Sequence, residues 1–356
     1  MVTRKKPNAP VARSSRSSPS APIAATRASR KARSAPSRSR GATVPSAALT
    51  ASQARSAQAI VNIFETGEVL GVYGQVTLIP GDTGHLTFGR SQTTLGSGNL
   101  HELVQRYCAN LGARFGAALR PWLPRLAATD LSLDTDLVFG NLLRASADDR
   151  VMREVQDLFF DETYWRPALQ LASSAGVHTP LGVAVVYDSK VHGSWTRIRD
   201  QVDRTFGTLA QRGETAWISA YVDARRAWLA GSGRADLRAT VYRMDAFRRL
   251  VDQNLWGLDL PLVVRGHEIS ATSLAAAPPG CYDGPAPGMR TLALQEPLAR
   301  GLDVRLMQLG LSRRGIDIHA DGVYGQASFK SVRAFQTARG LPATGVADVA
   351  LISELV

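Results

Sequence analysis

Apolar residues recur at helical spacing along most of the chain from residue 46 to residue 253. Residues 46–66 place Ala, Ile and Phe on one side of a predicted helix. Residues 67–90 are instead rich in Gly, Thr and β-branched side chains, which is typical of short strands and turns. From residue 99 onward helices dominate again, and further ones are predicted over 136–145, 148–160, 164–175, 180–190, 196–211, 214–230 and 236–253. The pattern predicts a mainly α domain with a small β element near its start.

A change of composition marks the end of this domain. Residues 271–290 are rich in Pro, Gly and Ala and predict a linker. In the segment that follows, Asp-Gly-Val-Tyr-Gly at 321–325 is echoed by Thr-Gly-Val-Ala-Asp at 344–348, and each Gly sits where a tight turn opens a helix. The predicted organisation lists four parts: a tail over 1–45, a main domain over 46–270, the linker over 271–290 and a small domain over 291–356.

The charge of the chain is concentrated in its first 55 residues. The 356 residues carry 42 Lys and Arg against 30 Asp and Glu, a net charge of +12. Residues 1–55 hold 12 of the basic residues and no acidic one, so the rest of the chain is neutral. Binding of nucleic acid as the main activity is therefore not expected. The Ala/Ser/Pro/Arg-rich tail predicts disorder. It is either a solvated segment, with a misassigned start codon as one explanation, or it adheres to an acidic polymer or serves export.

Several protein classes are excluded by what the sequence lacks. No run of apolar residues approaches the roughly 18 needed for a membrane-spanning helix. The basic start is not followed by the apolar core of about 7–15 residues that a signal peptide needs. Two cysteines, Cys108 and Cys281, are too few for a disulfide scaffold or a zinc site, and whether they pair stays open. We therefore expect neither a metal nor a cofactor.

Two carboxyl groups near the start of the main domain are candidates for acid–base chemistry. Glu65 ends the first predicted helix, and Asp82 lies in the Gly-rich turn that follows. A polysaccharide hydrolase needs such a pair: one carboxyl group protonates the leaving oxygen, and the other activates water or attacks the sugar. Spacing alone is weak support, because an Asp in a Gly-rich turn commonly forms an Asx-turn.

The surrounding motifs strengthen this interpretation, since residues from about 55 to 269 resemble the family-46 chitosanases. The resemblance implies a lysozyme-like, mainly α fold of two lobes. It also implies that Glu65 is the general acid and Asp82 the general base of an inverting mechanism. Thr87, five residues after Asp82, would help to place the attacking water. The segments that carry the resemblance are Leu100–Tyr107, Phe159–Asp161, Val186–Gly193, Tyr221–Arg226, Arg243–Asp245 and Leu258–Leu262.

The same resemblance implies a charged network behind the general acid. Matched by motif, its members are Arg249, Asp188 and Arg225, with Arg248 as an alternative to Arg249. A guanidinium beside a carboxyl lowers its pKa, which does not suit an acid, and Asp188 would absorb part of that charge. Alternatively, the network is a buried set of ion pairs that only joins helices.

One position departs from the family and bears on the substrate. Where the chitosanases have an Asp before the next helix, this chain has Asn99. An amide lacks the charge that an ammonium group prefers, but it matches an acetamido group through both its oxygen and its NH₂. Asn99 therefore favours N-acetylated sugars, unless it is simply the N-cap of that helix. His85, in the turn of Asp82, either lines the cleft or is exposed to solvent.

The small C-terminal segment resembles the peptidoglycan-binding domain 1 family, a three-helix module. The segments that carry the resemblance are Val304–Leu309, Asp321–Gly325, Val332–Gln336 and Gly340–Leu341. Most of these residues are expected to be core, and Asp321 is expected to cap a turn. The resemblance implies wall binding without identifying contact residues.

Together these features predict a cell-wall glycoside hydrolase that cleaves β-1,4 links in peptidoglycan glycan strands. An endo-chitosanase and a catalytically inactive wall-binding protein remain alternatives. The expected partner is a polysaccharide, and the expected state is a monomer with no membrane span. Either substrate implies a secreted or periplasmic site of action, reached without a visible signal peptide. A secretion apparatus or an immunity protein would then be further partners.

Overall fold

The computed structural model describes residues 49–79, 81–90 and 92–356. The predicted disordered tail over 1–45 lies outside these residues. The α-helices in the larger, first part of the chain are α1 (Ala51–Thr66), α2 (Asn99–Cys108), α3 (Gly116–Leu119), α4 (Leu123–Ala127), α5 (Leu137–Ser146), α6 (Arg150–Phe160), α7 (Arg166–Ala175), α8 (Pro180–His192), α9 (Trp195–Thr205), α10 (Leu209–Arg212), α11 (Glu214–Ala230), α12 (Ala235–Arg238) and α13 (Tyr242–Asp252). The remaining helices are α14 (Ala271–Ala275), α15 (Leu302–Arg313), α16 (Gln326–Ala338) and α17 (Val349–Leu355).

Short strands and turns complete the secondary structure. The strands are β1 (Val76–Thr77), β2 (Thr87–Phe88), β3 (Thr93–Thr94), β4 (Leu262–Val264) and β5 (His267–Ile269). Two 3₁₀ helices (Arg120–Trp122 and Leu131–Thr135) and one π-helical turn (Asp161–Trp165) lie among the helices. No helix within the described ranges is long and apolar enough to cross a bilayer.

The first helix sets the position of Glu65. The hydroxyl of Thr50 accepts a hydrogen bond from the Gln53 amide, and the side-chain oxygen of Gln53 accepts one from the Thr50 amide, so a capping box starts the helix. Gly67 ends it in the left-handed region, with φ of 75°. Glu65 thus stands in the last turn of α1, as the sequence predicts.

The β element carries Asp82 on a turn between its first two strands. β1, β2 and β3 form one antiparallel sheet, in which Val76 pairs with Phe88 and Thr87 pairs with Thr94. The prediction of short strands and turns over 67–90 is confirmed.

Two hydrophobic cores divide the main domain into lobes. The larger lobe packs α1, α7, α8, α9, α11 and α13 around one core, and nine successive residues of α8 (Leu181–Ser189) are buried at its centre. The smaller lobe packs the sheet with α2, α5 and α6 around a second core. The mainly α, two-lobed architecture expected of a lysozyme-like domain is confirmed. Glu65 belongs to the larger lobe and Asp82 to the smaller one.

Three details of the main domain differ from the sequence prediction. The helix predicted over 196–211 is broken after Thr205, because Gly207 has φ of 107°. The helix predicted over 236–253 is two helices, α12 and α13. Asn99 is the first residue of α2 rather than its N-cap. Gly98 caps the helix with φ of 78°, and the hydroxyl of Ser97 accepts a hydrogen bond from the Asn99 amide.

The C-terminal segment is a three-helix module, as predicted. Its core joins α15, α16 and α17. Gly322 and Gly345, the glycines of the repeated motif, have φ of 75° and 71°, and each precedes a helix by four residues. Asp321 accepts hydrogen bonds from the amide of Val323 and the side chain of Gln308, so its carboxylate holds the turn.

The module is packed against the smaller lobe. Leu309 and Ala320 belong to the hydrophobic core of that lobe. The side chain of Asn141 donates to the Ile318 carbonyl at 2.7 Å and accepts from the Ala320 amide at 2.8 Å. The main domain and the module therefore share one compact unit.

The first half of the predicted linker over 271–290 contacts the main domain at both of its ends. Leu274 of α14 packs into the core of the larger lobe, and the Tyr282 amide donates to Asp148 of the smaller lobe at 2.8 Å. Cys281 lies between them, buried beside Tyr73, and Cys108 is buried elsewhere; both are free thiols. The two cysteines do not pair.

Candidate active site

The two candidate carboxyl groups line adjoining pockets where the lobes face each other. Glu65 lines a pocket of about 340 Å³, and Asp82 lines one of about 300 Å³. Gln75, Gly89 and Gln92 line both pockets, so the two form one continuous cleft. The larger lobe contributes Glu65 to this cleft, and the smaller lobe contributes Asp82.

Glu65 is held by an arginine but stays open to the cleft. Its side chain is 40% exposed, and Oε1 accepts a hydrogen bond from Nη2 of Arg243 at 2.8 Å. The hydroxyl of Tyr242, beside that arginine, donates to the carbonyl of Phe64 at 2.7 Å. Helix α13 therefore fixes both the backbone and the carboxylate at the end of α1.

Behind Glu65, the ion pairs continue into the larger lobe. Nη1 of Arg243 donates to Oδ1 of Asp188 at 2.8 Å, and Arg225 donates to the other oxygen of the same carboxylate. Asp188 and Arg225 are fully buried. Burial alone would raise the pKa of Asp188, but Arg225 and Arg243 outweigh it and hold the pKa below its ordinary value. Asp188 is thus a permanent anion that shares Arg243 with Glu65.

The arginine in contact with Glu65 is Arg243, so the prediction of Arg249 is wrong, as is its alternative Arg248. Arg249 lies six residues after Arg243 on α13, which places its side chain about 120° around the helix from that of Arg243. Arg249 is therefore on the exposed face. Arg248 donates to the Ser219 carbonyl instead. Asp188 and Arg225 stand where the resemblance implied. A signal for Arg243 exists in the sequence, because helical spacing places it on the buried face of α13.

Asp82 lies on an exposed turn that the smaller lobe anchors. Its amide donates to the Ile79 carbonyl at 3.0 Å. Three residues later, Nδ1 of His85 contacts Oδ2 of Asp134 at 2.9 Å, and the Leu86 amide donates to Oδ1 at 2.8 Å. Asp134 therefore secures the end of the turn while the carboxylate of Asp82 remains free to meet the cleft.

Thr87 accompanies Asp82 in the same pocket. It opens strand β2, and its hydroxyl donates to the carbonyl of His85 at 3.2 Å. The hydroxyl oxygen then has lone pairs left to accept a hydrogen bond from water. The structure thus brings Asp82 and Thr87 together, five residues apart on one hairpin.

His85 and Asn99, the two predicted substrate-binding residues, are not among the described residues that line these two pockets. The ring of His85 turns toward Asp134, so its first role is to hold the turn. Asn99 is exposed on the first turn of α2, near the hydroxyl of Ser97. A role of His85 and Asn99 in binding substrate stays a prediction.

The rest of the lining mixes apolar side chains, such as Val72 and Phe160, with polar ones, and these two pockets carry no further carboxyl group within the described residues. Amide side chains come from Asn62, Gln75 and Gln92, and hydroxyl groups from Thr66, Thr77, Thr87, Thr94 and Tyr164. His192 lines the Glu65 pocket, and burial together with the nearby Arg243 lowers its pKa, so its ring is neutral. Sequence reasoning missed these amides, because single Gln and Asn residues in loops carry no distinguishing pattern.

Two carboxyl groups, one from each lobe and one with a threonine in the same pocket, line a single cleft, and a glycoside hydrolase needs such a pair. The comparisons agree. The family model for glycosyl hydrolase family 46 matches residues 59–262, more than half of the chain. The chain belongs to this family and is a glycoside hydrolase. A model for a putative peptidoglycan binding domain matches residues 300–355.

Individual relatives are chitosanases. A chitosanase of Bacillus subtilis (strain 168) is 29% identical over 240 residues, which cover 64% of this chain and 86% of the relative. Among solved structures, a mutant chitosanase of Bacillus subtilis MY002, complexed with 6 GlcN, is 26% identical with a TM-score of 0.49, over 61% of this chain and 95% of that one. A Gynuella sunshinyii chitosanase with chitotetraose is 25% identical with a TM-score of 0.49, over 62% and 98%.

Proposed function

We propose that this protein hydrolyses β-1,4 links in the glycan strands of peptidoglycan, with inversion at the anomeric carbon. The carrying observation is the lining of the two pockets that hold Glu65 and Asp82, where these are the only carboxyl groups among the described residues. The neighbouring pocket, which shares Asn62, Gly71 and Arg90, adds four carboxyl groups and four arginines, so it brings no net negative charge: Glu154, Asp157, Asp161 and Asp283, with Arg55, Arg90, Arg150 and Arg153. A chain of glucosamine is a polycation and is best bound by additional carboxylates. Amides and hydroxyls instead suit the neutral acetamido groups of the wall sugars.

The reaction assigns one role to each wall of the cleft. Glu65 donates its proton to the leaving glycosidic oxygen as the bond from the anomeric carbon to that oxygen breaks. Asp82 takes a proton from a water that Thr87 helps to orient, and the water oxygen bonds to the opposite face of the same carbon. The water thus supplies the new hydroxyl group at the reducing end, and no further reactant is required.

The network behind Glu65 serves to position it. Arg243 donates one hydrogen bond to Glu65 and another to Asp188. Since Asp188 also pairs with the buried Arg225, the guanidinium of Arg243 is held rigidly and its charge is shared between two carboxyl groups. Glu65 therefore keeps a fixed orientation toward the leaving oxygen.

The docked C-terminal module supports the same substrate. It carries the family resemblance to peptidoglycan-binding domains and is bound firmly to the smaller lobe through Asn141 and Arg305. Binding of the module to the wall would therefore hold the cleft in a fixed relation to the glycan strands. The site of action is then outside the cytoplasm. An antibacterial role, export by a dedicated apparatus and inhibition by an immunity protein are consistent with this proposal, as is action as a monomer.

Hydrolysis of chitosan is the second candidate, and the comparison with known proteins favours it. The curated relative at 29% identity is a chitosanase. Chitosan hydrolysis would use Glu65, Asp82 and Thr87 in the same roles. A wall-binding protein without catalysis is the third candidate, and the intact pair of carboxyl groups argues against it.

The experiment incubates wild type and Glu65→Gln with peptidoglycan sacculi and, separately, with chitosan, and identifies the soluble products by mass spectrometry. We expect muropeptides with a new reducing sugar end from wild type alone. Glucosamine oligomers from chitosan and intact sacculi would instead establish the chitosanase. Pull-down by sacculi without any product would leave the wall-binding protein.

A further inference from the structure

A second groove crosses the junction between the smaller lobe and the C-terminal module. Its volume is about 340 Å³. One wall is strand β1 and helix α5 of the smaller lobe, including Val76, Thr77 and Arg144. The other wall includes Asp317 and His319, which lie between α15 and α16 of the module. The groove therefore exists only because the module is docked.

Arg144 brings a positive charge to this groove, and its guanidinium forms no ion pair within 4 Å among the described residues. Its guanidinium lies against Gly140, where an added Cβ would be 3.3 Å from Nη1 and 3.9 Å from the side chain of Val76. Its only side-chain hydrogen bond among the described residues is to the neutral amide of Asn141, at 3.2 Å. Burial and the nearby Arg305 lower its pKa, and the charge of Asp321 opposes them in part. Arginine keeps its charge even so.

The opposite wall offers charge of the other sign. Asp317 and His319 are exposed, and neither side chain has a hydrogen bond or ion pair with another described residue. Asp317 and Arg144 line the same groove without forming an ion pair. Asp134 and Asp136 also line the groove, but Asp134 is held by His85 and the Leu86 amide, and Asp136 by Arg125 and the Phe139 amide. Asp317 and Arg144 are thus the lining charges that have no ion pair among the described residues.

Strand β1 connects this groove to the active site. Thr77 lines the groove and also lines the Asp82 pocket. The two cavities therefore lie on either side of one edge strand of the sheet. A branched substrate could place its main chain in the cleft and send a side branch across Thr77.

We propose that this groove binds the peptide stem of the peptidoglycan strand that occupies the cleft. A stem carries carboxylates, which fit the guanidinium of Arg144, and an ammonium group where it contains a diamino acid, which fits Asp317. A linear chain of glucosamine has no carboxylate to offer Arg144. This inference rests on the proposed function and deepens it, because it makes the docked module part of the substrate site.

Direct binding tests this inference without requiring cleavage. The full chain with Glu65→Gln is titrated calorimetrically with a disaccharide–tetrapeptide muropeptide containing diaminopimelate, and with the same disaccharide lacking the peptide. Arg144→Gln and Asp317→Asn are each added to that chain. Matched controls are Arg313→Gln and Glu296→Gln, which are exposed and outside the groove. Since Arg144 contacts Asn141 at the module interface, thermal unfolding of each variant is measured as well. Asp317→Asn, at an exposed position, provides the second test.

We expect both groove variants to weaken binding of the stem-bearing muropeptide by about 10-fold or more, the effect of losing a charged hydrogen bond. Binding of the peptide-free disaccharide should be unchanged, as should both controls. This result supports the inference even if parallel digests show that sacculi are not cleaved, in which case only the proposed function fails. If sacculi are cleaved while Asp317→Asn and a folded Arg144→Gln bind the stem as tightly as the parent, the inference is overturned.

Discussion

Two buried aspartates, Asp188 in the larger lobe and Asp148 at the module interface, differ in the number of arginines they meet. Asp188 pairs with Arg225 and Arg243, and their charges hold its pKa below the ordinary value. Asp148 pairs with Arg305 alone, at 3.0 Å, and burial raises its pKa to about 6 although Arg305 opposes the shift. A buried aspartate beside arginine therefore has a lowered pKa at one site and a raised pKa at the other.

The surroundings explain what each aspartate does. The ion pairs of Asp188 end at Glu65, a carboxylate open to the cleft, and they fix the orientation of that carboxylate. Asp148 and Arg305 instead bind backbone groups. Asp148 accepts a hydrogen bond from the Tyr282 amide, and Arg305 donates to the carbonyls of Arg144 and Gly280. We infer that the first network positions a catalytic group and that the second fastens the module. Each prediction below separates these roles, beginning with the largest effect.

Removing the carboxyl groups that face the cleft should have the largest effect on activity. Glu65→Gln and Asp82→Asn should each lower kcat by about 10²–10⁴-fold, the usual contribution of a general acid or base. Glu68→Gln, an exposed carboxyl group close to Glu65, is the matched control and should keep wild-type activity. Release of reducing ends from the purified substrate measures all three. Equal activity of Glu65→Gln and Glu68→Gln would refute the assignment.

Removing Arg243 should affect both activity and stability. Arg243→Gln leaves Glu65 without its partner and Asp188 with one arginine. We expect kcat to fall on the order of 100-fold through misplacement of Glu65, and the free energy of unfolding to fall by about 3–5 kcal/mol. Arg249→Gln on the exposed face of α13 is the control. Kinetics and urea denaturation check both effects, and a larger loss in Arg249→Gln would contradict the structure.

Removing Arg305 should loosen the module without changing the chemistry. Arg305→Met leaves Asp148 buried without a counterion, which should cost about 3–5 kcal/mol of stability. Hydrolysis of a short soluble oligosaccharide, which does not reach the module, should keep its kcat. Limited proteolysis within 271–290 should become faster, because Gly280 loses its hydrogen bond to Arg305, and Asp148, which holds the Tyr282 amide, loses its counterion. Unchanged proteolysis would show that Arg305 is not what holds the segment.

The raised pKa of Asp148 predicts the smallest effect, which depends on pH. A carboxyl group whose pKa is about 6 when folded and near 3.8 when unfolded binds more protons in the folded state between those values. Its contribution to stability is therefore present at pH 4 and lost by about pH 6. Relative to Asp148→Asn, wild type should lose up to about 3 kcal/mol over this range. Urea unfolding at several pH values measures the difference. A constant difference would mean that folding leaves this pKa unshifted.

The contrast also shows what the sequence can predict. Helical periodicity and turn residues locate α1, the sheet and the three-helix module, because these depend on local spacing. Glu65, Asp82 and Thr87 follow from motif positions on those elements. The sequence predicts Arg249 instead of Arg243, because counting residues from a matched motif does not show which face of the helix is buried.

Contacts between distant segments escape sequence reasoning for a different reason. The predicted linker over 271–290 has a composition typical of free segments, yet single hydrogen bonds to Asp148 and packing of Leu274 fix it in place. Asn141 reads as an ordinary polar residue of α5, although its amide satisfies two backbone groups of the module. Such one-to-one contacts leave no periodic signal.

The most direct test of the account is the dependence of kcat/KM on the degree of N-acetylation of a chitosan-type glycan. Glycans of matched length and increasing acetylation would be digested by wild type, with Glu65→Gln as the blank. If amides and hydroxyl groups around Glu65 and Asp82 bind the sugar, the protein should cleave faster as acetylation rises. A kcat/KM that is highest on fully deacetylated chains would contradict the account and make the protein a chitosanase.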